Sequence, residues 1–224
     1  MNQNASTIEN AISGSLNIIE QEREREIISR RFGLTGQKET LEQIGELLNI
    51  TRERVRQLDK SILVRLRIGA EEGNIEELAA AEKLIIRHLA ESGRVARTQD
   101  LAKRIFEHDS TPEERAKLVF LASISKNLTC IDENDHYYSA IGIATYGDAK
   151  TVLEHVDKIV EVIKEHGKPM TIDELDDKLD YEHPNIIRSI ASISKQLATL
   201  NGLWGLAKWP TVNVTHQAAS EIST

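Results

Sequence analysis

The stretch from Thr40 to Arg67, TLEQIGELLNITRERVRQLDKSILVRLR, constrains this chain most, because its apolar and charged residues separate only on two helices joined by a tight corner. At about 100° per residue, Val55, Leu58, Ile62 and Leu66 fall within one arc of the second helix. Arg52, Glu53, Arg56, Gln57 and Lys60 fill another. One face is built to pack and the other is free to touch a partner. Thr40 and Gln43 have capping-box spacing, and Ile44, Leu47 and Leu48 then repeat as the apolar side of the first helix. Asn49 and Ile50 are expected to turn the chain, with Thr51 capping the second helix.

The exposed face carries the chemistry that base edges require. Arginine forks onto the two acceptors of guanine, glutamate accepts from the cytosine amino group, and glutamine pairs with adenine. Arg52, Glu53, Arg56 and Gln57 are therefore a candidate reading set. The same residues also fit a solvated face held by Glu to Arg pairs within one helix.

The Thr40 to Arg67 stretch closely resembles region 4 of the bacterial sigma-70 family, the part that binds the promoter −35 element, and EREREIISRRFGL (Glu22 to Leu34) resembles that region's first helix. The resemblance covers about residues 8 to 68. It implies a recognition helix beginning at Thr51, with Arg52, Glu53, Arg56 and Gln57 at base-reading positions and Thr51 and Arg54 near phosphates. Lys60 lies on the same face, although Lys60 and Ser61 depart from the family's basic order. It further implies double-stranded promoter DNA as partner and RNA polymerase as a second one, held through the flap of its β subunit by the first helices. A complete sigma factor also carries an aromatic-bearing domain that melts the −10 element, for which there is no room before residue 20. The chain is thus expected not to start transcription as an autonomous sigma factor.

Charge is unevenly distributed. Through residue 70 there are 11 Lys and Arg against 10 Asp and Glu; after it, 17 against 26, for a total of −8. Arg52 to Arg67 holds six basic and two acidic residues, so a local positive patch survives, whereas the acidic remainder disfavours a second phosphate-binding surface.

The region after residue 75 is organised as a repeat. ASISKNL at 122–128 and ASISKQL at 191–197 differ at one position and lie 69 residues apart, while the glycines that end the preceding helices, Gly93 and Gly167, are 74 apart. The extra five residues of the first copy are expected in a loop at Glu107 to Glu114. Each copy reads as three helices and a hairpin, spanning Ile75–Glu91, Thr98–Phe106, a helix capped by Thr111, Pro112 and Glu114, and strands 128–132 and 136–140 in the first. In the second, the helices are 152–165, 171–179 and 184–197, and Asn201-Gly202 joins strands 197–200 and 203–207. The copies resemble the HARE winged-helix family, which includes the N-terminal domain of the RNA polymerase delta subunit; GLWGLAKWP at 202–210 carries the likeness, and HYYSAIG replaces it in the first copy.

Several features point to ordinary structure. Trp204 and Trp209 invite base stacking but fit the covering of a core, and Tyr137 and Tyr138 are read the same way. Asp132, Glu133 and Asp135 lack the remaining ligands of a calcium loop. Cys130, the single cysteine, sits in an apolar strand and excludes an intrachain disulfide or cysteine zinc site. No catalytic residue, cofactor site or metal site is expected, nor a membrane segment; a cytoplasmic location follows, and the oligomeric state is open.

The expected architecture is mainly α: a sigma region 4-like helix-turn-helix domain at 1–72, tandem winged-helix domains with short β-hairpins at 73–148 and 149–215, and a tail at 216–224. Residues 68–74, IGAEEGN, mark the first boundary, and Met1 to about Thr7 is expected to fray.

Overall fold

The structure is a computed structural model and describes residues 2–212; the expected tail at 216–224 lies outside them. The described residues are mainly helical with two small antiparallel sheets. Their contacts group into two compact units, residues 1–88 with 98–129 and residues 89–97 with 130–224, a partition different from one drawn at motif boundaries. No helix among the described residues is long and apolar enough to cross a membrane.

The first unit is all helical: α1 (Gln3–Asn17), α2 (Glu22–Phe32), α3 (Leu41–Leu48), α4 (Arg52–Glu71), most of α5 (Leu78–Ser92), α6 (Thr98–Phe106) and α7 (Pro112–Ile124). Ile8, Ile27, Ile28, Ile44, Val55, Ile62, Leu66, Leu101, Ile105 and Phe120 are fully buried. α7 packs against α1, α2 and α4. Phe120 meets Phe32 edge to face at 5.2 Å, and Lys117 bridges Glu9 and Glu113 at 2.5 and 2.8 Å.

The chain start is ordered rather than frayed. The Asn2 side chain caps α1 by accepting from the Asn4 N–H at 2.6 Å, and the Asn2 and Asn4 amides donate to the Ile105 carbonyl. Within residues 68–74, α4 runs on to Glu71 with Gly69 buried. Leu47, one of the apolar residues at helical spacing in α3, is 54% exposed.

The second unit holds the sheets. Strands β1 (Val95–Arg97), β2 (Leu128–Ile131) and β3 (Ala140–Ile143) are ordered β1-β3-β2, and β4 (Met170–Thr171), β5 (Leu197–Leu200) and β6 (Leu203–Leu206) are ordered β4-β6-β5. Helices α8 (Ala149–His166), α9 (Ile172–Leu179) and α10 (Pro184–Ala191) complete it. Its core joins Val95, Ile131 and Ala140 to Val156, Ile159, Leu175, Ile187 and Trp204. The element order helix, strand, helix, helix, strand, strand occurs twice along the chain.

The repeated heptad is a helix exit. In each copy a buried serine, Ser125 or Ser194, accepts from the N–H two residues on at 3.1 Å and turns the chain into a strand. α10 ends at Ala191, with Ser192 as its cap, rather than at 197. The extra length of the first copy is mostly helical: α7 has 13 residues where α10 has 8, and the loops before them, 107–111 and 180–183, differ by one.

The hairpin at Asn201-Gly202 forms as expected, with both residues at positive φ (52° and 80°). The first one forms with a longer connection, β2 lying beside β3 but β3 starting later than expected. Asn134 takes the His136 and Tyr137 N–H groups at 2.8 and 3.0 Å, the Tyr138 N–H donates to the Ile193 carbonyl, and the Lys195 N–H donates to the His136 carbonyl. With those groups satisfied elsewhere, the second strand starts at Ala140 instead of 136.

Candidate nucleic-acid interface

Two caps and one glycine set the corner between α3 and α4. Thr40 and Gln43 close a reciprocal capping box at 3.2 and 2.8 Å, and Asn49 takes the left-handed conformation (φ 54°) that ends α3. Thr51 then accepts from the Arg54 N–H at 3.1 Å and starts α4. Gly45 is buried beneath this corner, where a Cβ would lie 2.7 Å from the Ile50 carbonyl oxygen.

This corner projects the candidate residues outward. Thr51, Arg52, Glu53, Arg54, Arg56, Gln57 and Lys60 are all exposed, while Val55, Ile62 and Leu66 are buried and Leu58 is half-buried. Arg52, Arg56 and Lys60 stand one turn apart, roughly 6 Å along the axis, a spacing that matches successive contacts in a major groove.

Most of the exposed arginines already have a carboxylate or amide neighbour. Arg56 donates through Nε and Nη2 to both oxygens of Glu53 at 2.8 and 2.6 Å. The Arg56 hydrogen bond holds the Glu53 carboxyl below its usual range, and Glu53 raises the Arg56 guanidinium in return. Arg52 Nε lies 2.9 Å from Glu42 Oε1 on α3. Arg54 and Gln57 approach each other at 3.5 Å. The internal Glu to Arg pairing read from the sequence is therefore present, on the same face as the base-reading chemistry.

The remaining arginines of the positive patch serve the fold. Arg65 pairs with buried Glu24 at 2.6 Å, and Arg67 donates to the Ser123 carbonyl at 2.9 Å. Arg52, Arg54, Arg56 and Lys60 are the exposed cations at the N-terminal half of α4, and Arg65 and Arg67, also exposed, follow further along it.

Residues 21–67 match the family described as Sigma-70, region 4. Over 46 residues the chain is 50% identical to the RNA polymerase sigma factor SigA1 of Synechococcus elongatus, covering 20% of this chain and 12% of that protein. It is 52% identical over 48 residues to the RNA polymerase sigma factor RpoD of Helicobacter pylori, covering 20% of this chain and 7% of that one. Residues 21–67 are a sigma-70 region 4 domain. The match begins at 21 rather than 8, so α1 lies outside it. The chain spans about an eighth or less of these relatives' lengths. No solved structure matches the chain.

The region 4 domain thus comprises α2, α3 and most of α4. Two of its residues escaped sequence reasoning, Glu42 and Gly45. The signal for Gly45 was a glycine within an apolar helix; Glu42 had none, because its partner lies on another helix.

Other residues singled out by sequence are engaged elsewhere. Trp204 is 6% exposed and sits in the second unit's core, and Trp209 packs against that core. Tyr137 donates to Asp157 at 2.7 Å, its hydroxyl pushed up to about 12 by burial and then by that carboxylate. Tyr138 carries Arg97 at 3.7 Å over its ring. Glu133 pairs with Lys195 at 2.9 Å, and Cys130 is half-buried in β2.

Proposed function

We propose that this chain is a DNA-binding transcription regulator that reads a −35-like element in double-stranded promoter DNA and contacts RNA polymerase. One observation carries the reading: within the stretch that matches region 4, Arg52, Glu53, Arg56 and Gln57 stand on an exposed stripe of α4, behind a capped corner. Arg52 and Arg56 present guanidinium forks to guanine, Gln57 serves adenine, Glu53 serves the cytosine amino group, and Thr51, Arg54 and Lys60 hold phosphates. The helices leading into α3 take the β flap of the polymerase.

The segments after residue 72 are, in this proposal, two winged helices of the HARE type. The support is the twice-run element order and the matching sheet orders, in which the third strand lies between the first and second. Their acidic charge suits a polymerase-side adaptor better than a phosphate groove. The protein acts by binding, without catalysis or a cofactor, in the cytoplasm.

A second reading has its own observation. Glu53 occupies one fork of Arg56 and Glu42 stands as an ion pair beside Arg52, which suits a polymerase accessory protein that does not read sequence. Selection from a random duplex library, with and without core RNA polymerase at fixed salt, separates the two. A motif enriched by the protein and lost in the Arg52/Arg56 double alanine variant supports promoter reading. Binding to polymerase with no duplex preference leaves the accessory role.

A further inference from the structure

We propose that Glu42 is a positioning residue that sets the base preference of Arg52, an inference that rests on the promoter-reading proposal. Arg52 is the first residue of α4, on a long side chain whose guanidinium has two usable forks: Nε with one Nη, or the two Nη groups together. Glu42 Oε1 sits 2.9 Å from Nε, with the side chains 68% and 56% exposed. The carboxylate stands beside the inner nitrogen as an ion pair, without a hydrogen bond, and the guanidinium stays largely open to solvent. Two parallel N–H groups are what guanine O6 and N7 accept.

The pair also differs in kind from its neighbour. Glu53 and Arg56 lie three residues apart on one helix and would pair on any α4. Glu42 belongs to α3, so its pairing depends on the corner held by Gly45, Asn49 and Thr51. Arg52 is aimed by the tertiary structure of the motif. A carboxylate facing DNA phosphates opposes binding of every sequence alike, and this gives Glu42 a distinctive signature: its removal should strengthen or leave unchanged the general affinity while weakening discrimination.

The test uses the full chain and competition binding at fixed salt, with duplexes that depart by one base pair from the preferred sequence. Glu42→Ala should lower discrimination about threefold, the scale of an exposed ion pair, only at the base pair that Arg52→Ala also relaxes. In an Arg52→Ala background Glu42→Ala should change nothing further in discrimination, Glu42→Gln, which removes the charge, should behave like Glu42→Ala, and Glu42→Asp, which keeps the charge, should retain part of the discrimination. Unchanged discrimination, an equal change at every position, or an effect that persists without Arg52 would overturn the positioning role while leaving promoter reading intact. A wild-type protein with no base preference would overturn promoter reading, and this role with it.

Discussion

Arg56 and Glu53 hold each other on the exposed face of α4, through two hydrogen bonds. The outer N–H groups of Arg56 remain available, so the pair can orient Arg56 toward a base as Glu42 is proposed to orient Arg52. Arg56→Ala should cost about 1–3 kcal/mol at a cognate duplex and relax one base preference, whereas Lys60→Ala should weaken all duplexes alike and lower the salt dependence; competition binding at two salt concentrations tells these apart. Asp59 behaves differently. It faces Arg31 at 3.7 Å on the inner side of α4, and burial raises its carboxyl above the ordinary range although Arg31 and Lys38 pull the other way. The native fold therefore holds that proton more tightly than the unfolded chain does. The contribution is fully present below the unfolded value and is lost as pH rises through the folded one. Asp59→Asn should raise Tm at neutral pH, and the gain should shrink as the solution is acidified into the ordinary carboxylate range. A pH-independent gain in thermal unfolding would show that ionisation of Asp59 is not its source.

At the scale of elements, the corner between α3 and α4 is the stringent feature. A glycine-to-alanine change inside a helix ordinarily gains about 1 kcal/mol from propensity. At Gly45 the new Cβ would meet a backbone carbonyl at 2.7 Å, which no side-chain rotation relieves. Overpacking of this kind costs about 1–3 kcal/mol, so the loss should win. Gly45→Ala is expected to lower the unfolding free energy in denaturant and to weaken DNA binding, because it shifts α3 against α4. Thr51→Ala removes only the cap and should cost about 1 kcal/mol of stability, with a smaller effect on duplex preference. The repeated heptad shows the same logic twice, since Ser125 and Ser194 at corresponding positions each accept from the N–H two residues on, although α10 ends two residues earlier in the repeat than α7.

For the whole molecule, the contacts join the region 4 segment to helices that follow it by fifty residues. Phe120 is fully buried, and its ring meets Phe32 within the first unit. Phe120→Ala should cost about 3–5 kcal/mol. It should also reduce hydrogen-exchange protection at Ile27, Ile28 and Ile62, which are buried residues of the region 4 domain. Unchanged protection there would mean that residues 21–67 hold their structure without α7.

Periodicity and caps were legible in the chain itself. The two-faced α4, the capping boxes at Thr40 and Thr111, the first-turn Pro112 and the Asn201-Gly202 turn depend on neighbours a few residues away, and local sequence determines them. So does the set of outward residues from Thr51 to Lys60, because the buried stripe of α4 dictates which side remains. Tertiary structure alone decided what depends on distant partners. Asn2 becomes a cap tied to Ile105, residues 136–138 give their hydrogen bonds to 193–195, and Leu47 is left exposed although its spacing suits a core. Arg65 and Arg67 remain exposed but are tied to Glu24 and the Ser123 carbonyl. Glu42 reaches Arg52 by the same rule: a charge ten residues away in sequence acquires its meaning only when the corner brings the two helices together.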